Sequence, residues 1–167
     1  MLRKRPRKRA LAPGQSTDTE AAGKAAVVLL SRRDFCSREL AEKLNAQGYE
    51  REIVQGVVNE LSERGYVNDE RYAQQYVALH AERGHGPRRI ERDLSQLGLD
   101  SGLIEAALAA GEDWAQRARE LRIRRFGLQV PADWQAKAKQ ARFLQYRGFS
   151  NDHIRMALGS EVSDDLS

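Results

Sequence analysis

One phrase recurs three times in the chain at intervals of 50 residues: Leu44-Asn45-Ala46-Gln47-Gly48-Tyr49, Leu94-Ser95-Gln96-Leu97-Gly98-Leu99 and Leu144-Gln145-Tyr146-Arg147-Gly148-Phe149. Each copy sets a leucine four places before a glycine and a large apolar residue directly behind it. The register continues downstream through Val54, Ile104 and Ile154, then Val57, Ala107 and Ala157, then Val58, Leu108 and Leu158. Six columns that repeat at one period point to an internal triplication.

The phrase is a helix terminus written in residue types. Glycine just beyond a helix adopts positive φ without a Cβ clash, and the apolar residue behind it folds back onto the last turn. Leu44, Gly48, Tyr49, Leu94, Gly98, Leu99, Leu144, Gly148 and Phe149 are therefore assigned structural roles. A second helix follows each copy; Ile53, Val54, Val57, Val58 and Leu61 form a helical stripe, not a strand alternation. In the third copy Ser150, Asn151 and Asp152 suit the cap of that next helix.

A period of 50 residues divides the chain into three helical units, each too small to be very stable alone, so neighbours should bury a shared face. With four prolines, 7 % aromatics and few β-branched runs, the chain reads as all-α. The expected organisation is a basic disordered arm over 1–17, repeats over 18–66, 67–110 and 111–158, and a flexible acidic tail over 159–167. About nine helices result, three per repeat, stacked as an elongated, curved array. The first is expected from Thr19 to Arg33, and Ser37 is expected to cap the second.

Charge is distributed unevenly. Residues 3–9 hold six cations and no acid, residues 11–113 hold 12 cations against 18 acids, residues 114–158 hold 10 against 3, and the tail adds three acids. Cationic ends suit a polyanion, and the acidic middle suits a protein partner or a solvated face. The candidate nucleic-acid contacts in the arm are Arg3, Lys4, Arg5, Arg7, Lys8 and Arg9, although such an arm also serves as a solubility tail. In the last repeat they are Arg117, Arg122, Arg124, Arg125, Lys137, Lys139, Arg142 and Arg147. Arg122 also lies on the apolar stripe of Trp114, Ala118 and Leu121; Trp134, Ala138, Ala141, Phe143 and Leu144 form the stripe of the following helix.

Between the fourth and fifth helices stands Arg83-Gly84-His85-Gly86-Pro87-Arg88-Arg89. Pro87 suits a first helical turn, so backbone amides and arginines gather at a helix N-terminus, a setting that attracts phosphate. Arg88 and Arg89 are added to the candidates on that ground. The same residues equally suit an ordinary Gly-Pro turn with solvated arginines.

Reactive chemistry is not suggested anywhere. A single cysteine, Cys36, forbids an internal disulfide framework, and His80, His85 and His153 are too scattered for a recognisable metal set. No cofactor loop, nucleophile elbow or acid–base pair stands out, so the chain reads as a binder and not an enzyme. Without an apolar run of roughly 18 residues, the expected protein is soluble, cytoplasmic and free of membrane contact.

Several stretches, in order, resemble the RecX family of regulatory proteins, which modulate the bacterial recombinase RecA. They are Leu30-Ser31-Arg32-Arg33-Asp34-Phe35 with Glu39-Leu40, Lys43-Leu44 and Gly48-Tyr49; Gly65-Tyr66-Val67-Asn68-Asp69 with Arg71-Tyr72-Ala73; Gly84-His85-Gly86-Pro87-Arg88-Arg89-Ile90; and Arg142-Phe143-Leu144-Gln145-Tyr146-Arg147-Gly148-Phe149-Ser150. The resemblance spans residues 21–158. It implies tandem three-helix repeats and a non-catalytic partner of RecA filaments on DNA; the residues leave the choice between single-stranded and double-stranded DNA open. Such a protein blocks filament extension, favours disassembly and lowers ATPase and strand exchange in homologous recombination, DNA repair and the SOS response. The basic leader and short acidic tail depart from the usual pattern.

Two other readings remain open from the residues: a sequence-specific helix-turn-helix DNA-binding protein, and a helical-repeat scaffold that binds only protein. The RecA-regulator reading expects a monomer in which neutralising Arg122, Arg124 and Arg125 weakens DNA binding without altering the fold.

Overall fold

The computed structural model describes residues 16–110 and 112–159. Nine α-helices account for most of them: α1 (Thr19–Leu30), α2 (Ser37–Ala46), α3 (Arg51–Glu63), α4 (Asp69–Glu82), α5 (Pro87–Gln96), α6 (Ser101–Ala109), α7 (Trp114–Phe126), α8 (Trp134–Tyr146) and α9 (Asn151–Ala157). Among the described residues there is no β-strand, only an isolated bridge between Ser16 and Tyr49. The described residues divide into two compact units after Tyr72, inside α4.

The thrice-repeated phrase closes three helices in the same way. Gly48, Gly98 and Gly148 have φ of 100°, 79° and 95°. The amides of Tyr49, Leu99 and Phe149 donate to the carbonyls of Leu44, Leu94 and Leu144 at 3.4, 3.3 and 3.2 Å. The three glycine amides donate to Asn45, Ser95 and Gln145 at 3.0, 2.9 and 3.0 Å. This paired 6→1 and 5→2 arrangement satisfies carbonyls that a helix end would leave bare. Leu44, Leu94 and Leu144 are fully buried beneath it.

Helix starts are set by short polar side chains. Asp18, Asp100, Asp113 and Asp133 accept amide hydrogen bonds from the first turns of α1, α6, α7 and α8. Ser150 and His153 cap α9 reciprocally. Two expectations are corrected. Ser37 is the first residue of α2 and not its cap; its amide donates to Asp69 Oδ1 at 2.7 Å, so a carboxylate 32 residues away does the capping. Helix α1 ends at Leu30, because Ser31 turns its hydroxyl back to the Val28 carbonyl at 2.9 Å and the Arg32 amide bonds Leu29.

In the first unit α1, α2 and α3 enclose Ala22, Ala26, Phe35, Leu40, Leu44, Val54, Val57, Val58, Leu61 and Val67. Ser16 is attached to the first glycine turn: its amide donates to Gly48 O and its carbonyl accepts from Glu50 N, both at 3.0 Å. Of the arm expected over 1–17, residues 1–15 lie outside the described residues, as do residues 160–167 of the expected tail. In the second unit Ile90 and Leu94 on α5, Leu99 in the turn that follows and Ile104 on α6 are buried. A further core joins Ala118, Leu121, Leu144, Phe149, Ile154, Ala157 and Leu158 on α7 to α9. Trp134 departs from its expected stripe and is 81 % exposed.

One helical glycine serves no such purpose. Gly56 lies within α3, and a Cβ there meets nothing within 4 Å. Gly56→Ala is expected to stabilise the first unit by about 0.5–1 kcal/mol, through lower backbone entropy in the unfolded chain. Thermal unfolding of the variant checks this.

Candidate nucleic-acid interface

The cationic candidates separate into four environments. Those of the arm, Arg3, Lys4, Arg5, Arg7, Lys8 and Arg9, lie outside the described residues. On α7 and α8 the side chains of Arg124, Arg125, Lys139 and Arg142 are exposed and Lys137 is part-buried. Arg117 is occupied by Glu112, with Nε 2.7 Å from Oε2, so its charge is largely countered.

Arg122 is a correction. It is 1 % exposed and cannot reach a phosphate. Its guanidinium donates to the carbonyls of Gly127, Leu128 and Gln129 at 3.3, 3.1 and 3.2 Å. Burial pushes its pKa down from the ordinary arginine value, with nearby Arg119 adding to the effect. A buried charge persists only when hydrogen-bonded; here the loop after α7 supplies the acceptors. Arg122 is therefore a structural strap for that loop.

The fourth environment lies where α5 begins. The turn before α5 abuts the third glycine turn, backbone to backbone. The Gly86 amide donates to Arg147 O at 2.8 Å and the Arg88 amide to Gly148 O at 3.1 Å, while Arg147 Nη2 donates to Arg83 O at 3.1 Å. The approach is so close that a Cβ on Gly86 would sit 2.4 Å from Gly148 C, and one on Gly148 would sit 2.5 Å from Arg89 Cβ. The expectation that the amides opening α5 bind an anion is corrected by these contacts, since carbonyls 61 and 60 residues further along already take the Gly86 and Arg88 amides. What remains for an anion is the side chains.

Those side chains line a cleft of about 390 Å³ made by Arg88, Arg89, Arg92, Gln145, Tyr146, Gly148 and Phe149. Arg89 and Arg92 lie 3.8 and 3.3 Å from the oxygens of Asp93. One carboxylate thus pairs with two of the cleft's three guanidinium groups, and the cleft keeps a positive balance. Arg147 is turned away, over the Phe143 ring at 5.9 Å. Arg92 and Tyr146 were not among the sequence candidates. Arg92 stands one helical turn beyond Arg88, a spacing that places both on one face; Tyr146 occupies a variable position of the repeated phrase and carried no signal of its own.

Behind the turn, Tyr76 stacks on His80 with centroids 3.9 Å apart, and His80 Nδ1 lies 3.0 Å from His85 Nδ1. A hydrogen bond at that distance needs one nitrogen unprotonated. Burial pulls both histidines below their ordinary pKa, helped by Arg83 at His80 and by Arg89, His80 and Arg147 at His85, and opposed by Asp93. The unfolded chain then binds more protons than the folded one below about pH 6.5, so this pair's contribution to stability is complete above that value and declines as pH falls through it. Melting temperature should drop on acidification over that window, and His85→Asn should flatten the dependence; parallel curves for the two proteins would contradict this.

Among the described residues no helix is long and apolar enough to cross a membrane, and no three potential ligands gather for a metal ion.

Comparison with known proteins places this geometry. Family models described as the first, second and third three-helix domains of RecX match residues 24–61, 68–108 and 111–158. A regulatory protein RecX of Halorhodospira halophila is 43 % identical over 148 residues, covering 88 % of this chain and 92 % of that protein. Regulatory protein RecX of Vibrio vulnificus is 39 % identical over 138 residues, 82 % of this chain and 90 % of that one. The crystal structure of RecX from Lactobacillus salivarius superposes with a TM-score of 0.76 at 24 % identity, covering 86 % of this chain and 96 % of that one, and so shares the fold. With three consecutive domains matched and this identity sustained over most of its length, the chain belongs to the RecX family of regulatory proteins.

Proposed function

We propose that this chain is a cytoplasmic, monomeric regulator of the RecA recombinase that catalyses no reaction itself. It binds the RecA filament on DNA, blocks its extension and promotes its disassembly, lowering ATPase and strand exchange in recombination and the SOS response. The observation that carries the reading is membership of the RecX family across all three domains. Charge supports a division of labour. Residues 16–72 carry 11 acids against 8 cations, whereas residues 73–159 carry 10 acids against 14 cations. The acidic first unit suits a protein surface, and the basic second unit suits phosphates through Arg88 and Arg92 in the cleft and Arg124 and Arg125 on α7.

The test is RecA-coated single-stranded DNA mixed with stoichiometric amounts of the chain, followed by filament length and ATP turnover. Shortening filaments and falling turnover are expected; unchanged filaments would overturn the proposal. Arg124→Gln with Arg125→Gln should weaken DNA binding and make its log–log salt slope shallower by up to about 1.4 on single strands, at roughly 0.7 per phosphate. Because both side chains are exposed, melting temperature should stay the same.

A further inference from the structure

Tyr146 is 83 % exposed although it sits at the end of a helix whose neighbouring Leu144 is fully buried. It shares the cleft of the second unit with Gln145, Arg88, Arg89 and Arg92. An aromatic ring held in water among guanidinium groups is the combination by which proteins bind single-stranded nucleic acid: the ring stacks on a base, and the cations follow the backbone. We propose that this cleft is a single-strand nucleic-acid subsite in which Tyr146 stacks one base while Arg88 and Arg92 take the adjoining phosphates. The inference rests on the nucleic-acid reading of the second unit above and assigns it a place and a strand preference.

The geometry supports each role. Arg88 and Arg92 are one helical turn apart on α5, about 6 Å along its axis, and both are exposed, Arg92 sharing its charge with Asp93 at 3.3 Å in an ion pair open to solvent. Arg89 is part-buried against Gly148 and Asp93, so it contributes charge more than contact. The two walls are fixed in register by the backbone hydrogen bonds from Gly86 and Arg88 to Arg147 and Gly148, so the ring and the guanidinium groups are positioned before a strand arrives. A volume of about 390 Å³ is at the small end of ligand clefts, which run from about 300 to 1,000 Å³. That suits one nucleotide unit. Duplex DNA hides its base faces in the stack, whereas a single strand can splay a base onto an aromatic ring. Single strands are therefore favoured.

The experiment is fluorescence anisotropy of the full chain with a labelled oligo-dT, a duplex of equal length, and unlabelled poly-glutamate as competitor, over a salt series. Tyr146→Ala should weaken oligo-dT binding roughly tenfold, leave duplex binding nearly unchanged and barely alter the salt slope. Tyr146→Phe should restore the affinity. Arg88→Gln with Arg92→Gln should weaken binding and make the slope shallower by up to about 1.4. These exposed positions permit melting curves to verify folding in each case. Unchanged oligo-dT affinity in Tyr146→Ala overturns the proposal, as do equal losses on both DNA forms. Displacement by poly-glutamate as effective as by unlabelled oligo-dT overturns it in favour of an acidic protein segment. The outcomes separate from the regulatory reading: filament disassembly by the wild-type chain with no Tyr146 effect on oligo-dT removes only the subsite. A Tyr146-dependent oligo-dT affinity with no action on filaments removes only the regulation.

Discussion

Gly86→Ala is expected to destabilise the second unit by about 3 kcal/mol or more, although it adds a single methyl group. Gly86 has an ordinary φ of −84°, so no backbone strain is involved. The penalty is steric: the new Cβ would lie 2.4 Å from both Gly148 C and Phe149 N, where only backbone can yield. Relief requires separating the turns, which stretches the hydrogen bonds from Gly86 to Arg147 and from Arg88 to Gly148. Gly148→Val adds a second penalty to a similar clash, because its φ of 95° disfavours a β-branched residue. Chemical denaturation followed by circular dichroism reads both, and Gly56→Ala serves as the opposite-signed control. A Gly86→Ala midpoint equal to wild type would show that the turns do not meet as described.

The second large effect is expected at Arg122. Arg122→Ala removes a fully buried side chain and strands the carbonyls of Gly127, Leu128 and Gln129, which now accept from its guanidinium. Gly127, Leu128 and Gln129 are exposed, so water replaces much of that hydrogen bonding; the expected loss of about 2–4 kcal/mol comes chiefly from emptying a fully buried side-chain site. Arg122→Lys should recover only part of it, since one ammonium cannot reproduce the planar fork. DNA binding by the folded fraction should be unaltered. If Arg122→Ala melted like wild type and bound DNA more weakly, Arg122 would be a surface contact after all.

Sequence and structure agree where the determinants are local. The phrase around Gly48, Gly98 and Gly148 specifies its own terminus, because the hydrogen bonds run between residues three and five places apart. Helix number and the positions of the apolar stripes follow from the same short range. The interface was less legible for reasons visible in particular residues. Arg122 shares a stripe with Ala118 and Leu121, yet nothing in that spacing reveals that the loop after α7 returns three carbonyls to it. The amides opening α5 looked free for an anion, since their acceptors, Arg147 and Gly148, lie some 60 residues away in sequence. Tyr146 gave no hint because an apolar residue at a helix end is ordinarily packed, and its exposure emerges only once the chain has folded.

The measurement that bears most directly on the account is binding of the full chain, across a salt series, to bare single-stranded DNA, to free RecA and to the assembled RecA filament, side by side. A protein that uses an acidic unit for the recombinase and a basic unit for phosphates should bind the filament more tightly than either component. Its affinity there should fall with salt, and Arg124→Gln with Arg125→Gln should reduce that dependence. Equal affinity for bare DNA and filament, or filament binding untouched by salt, would contradict it.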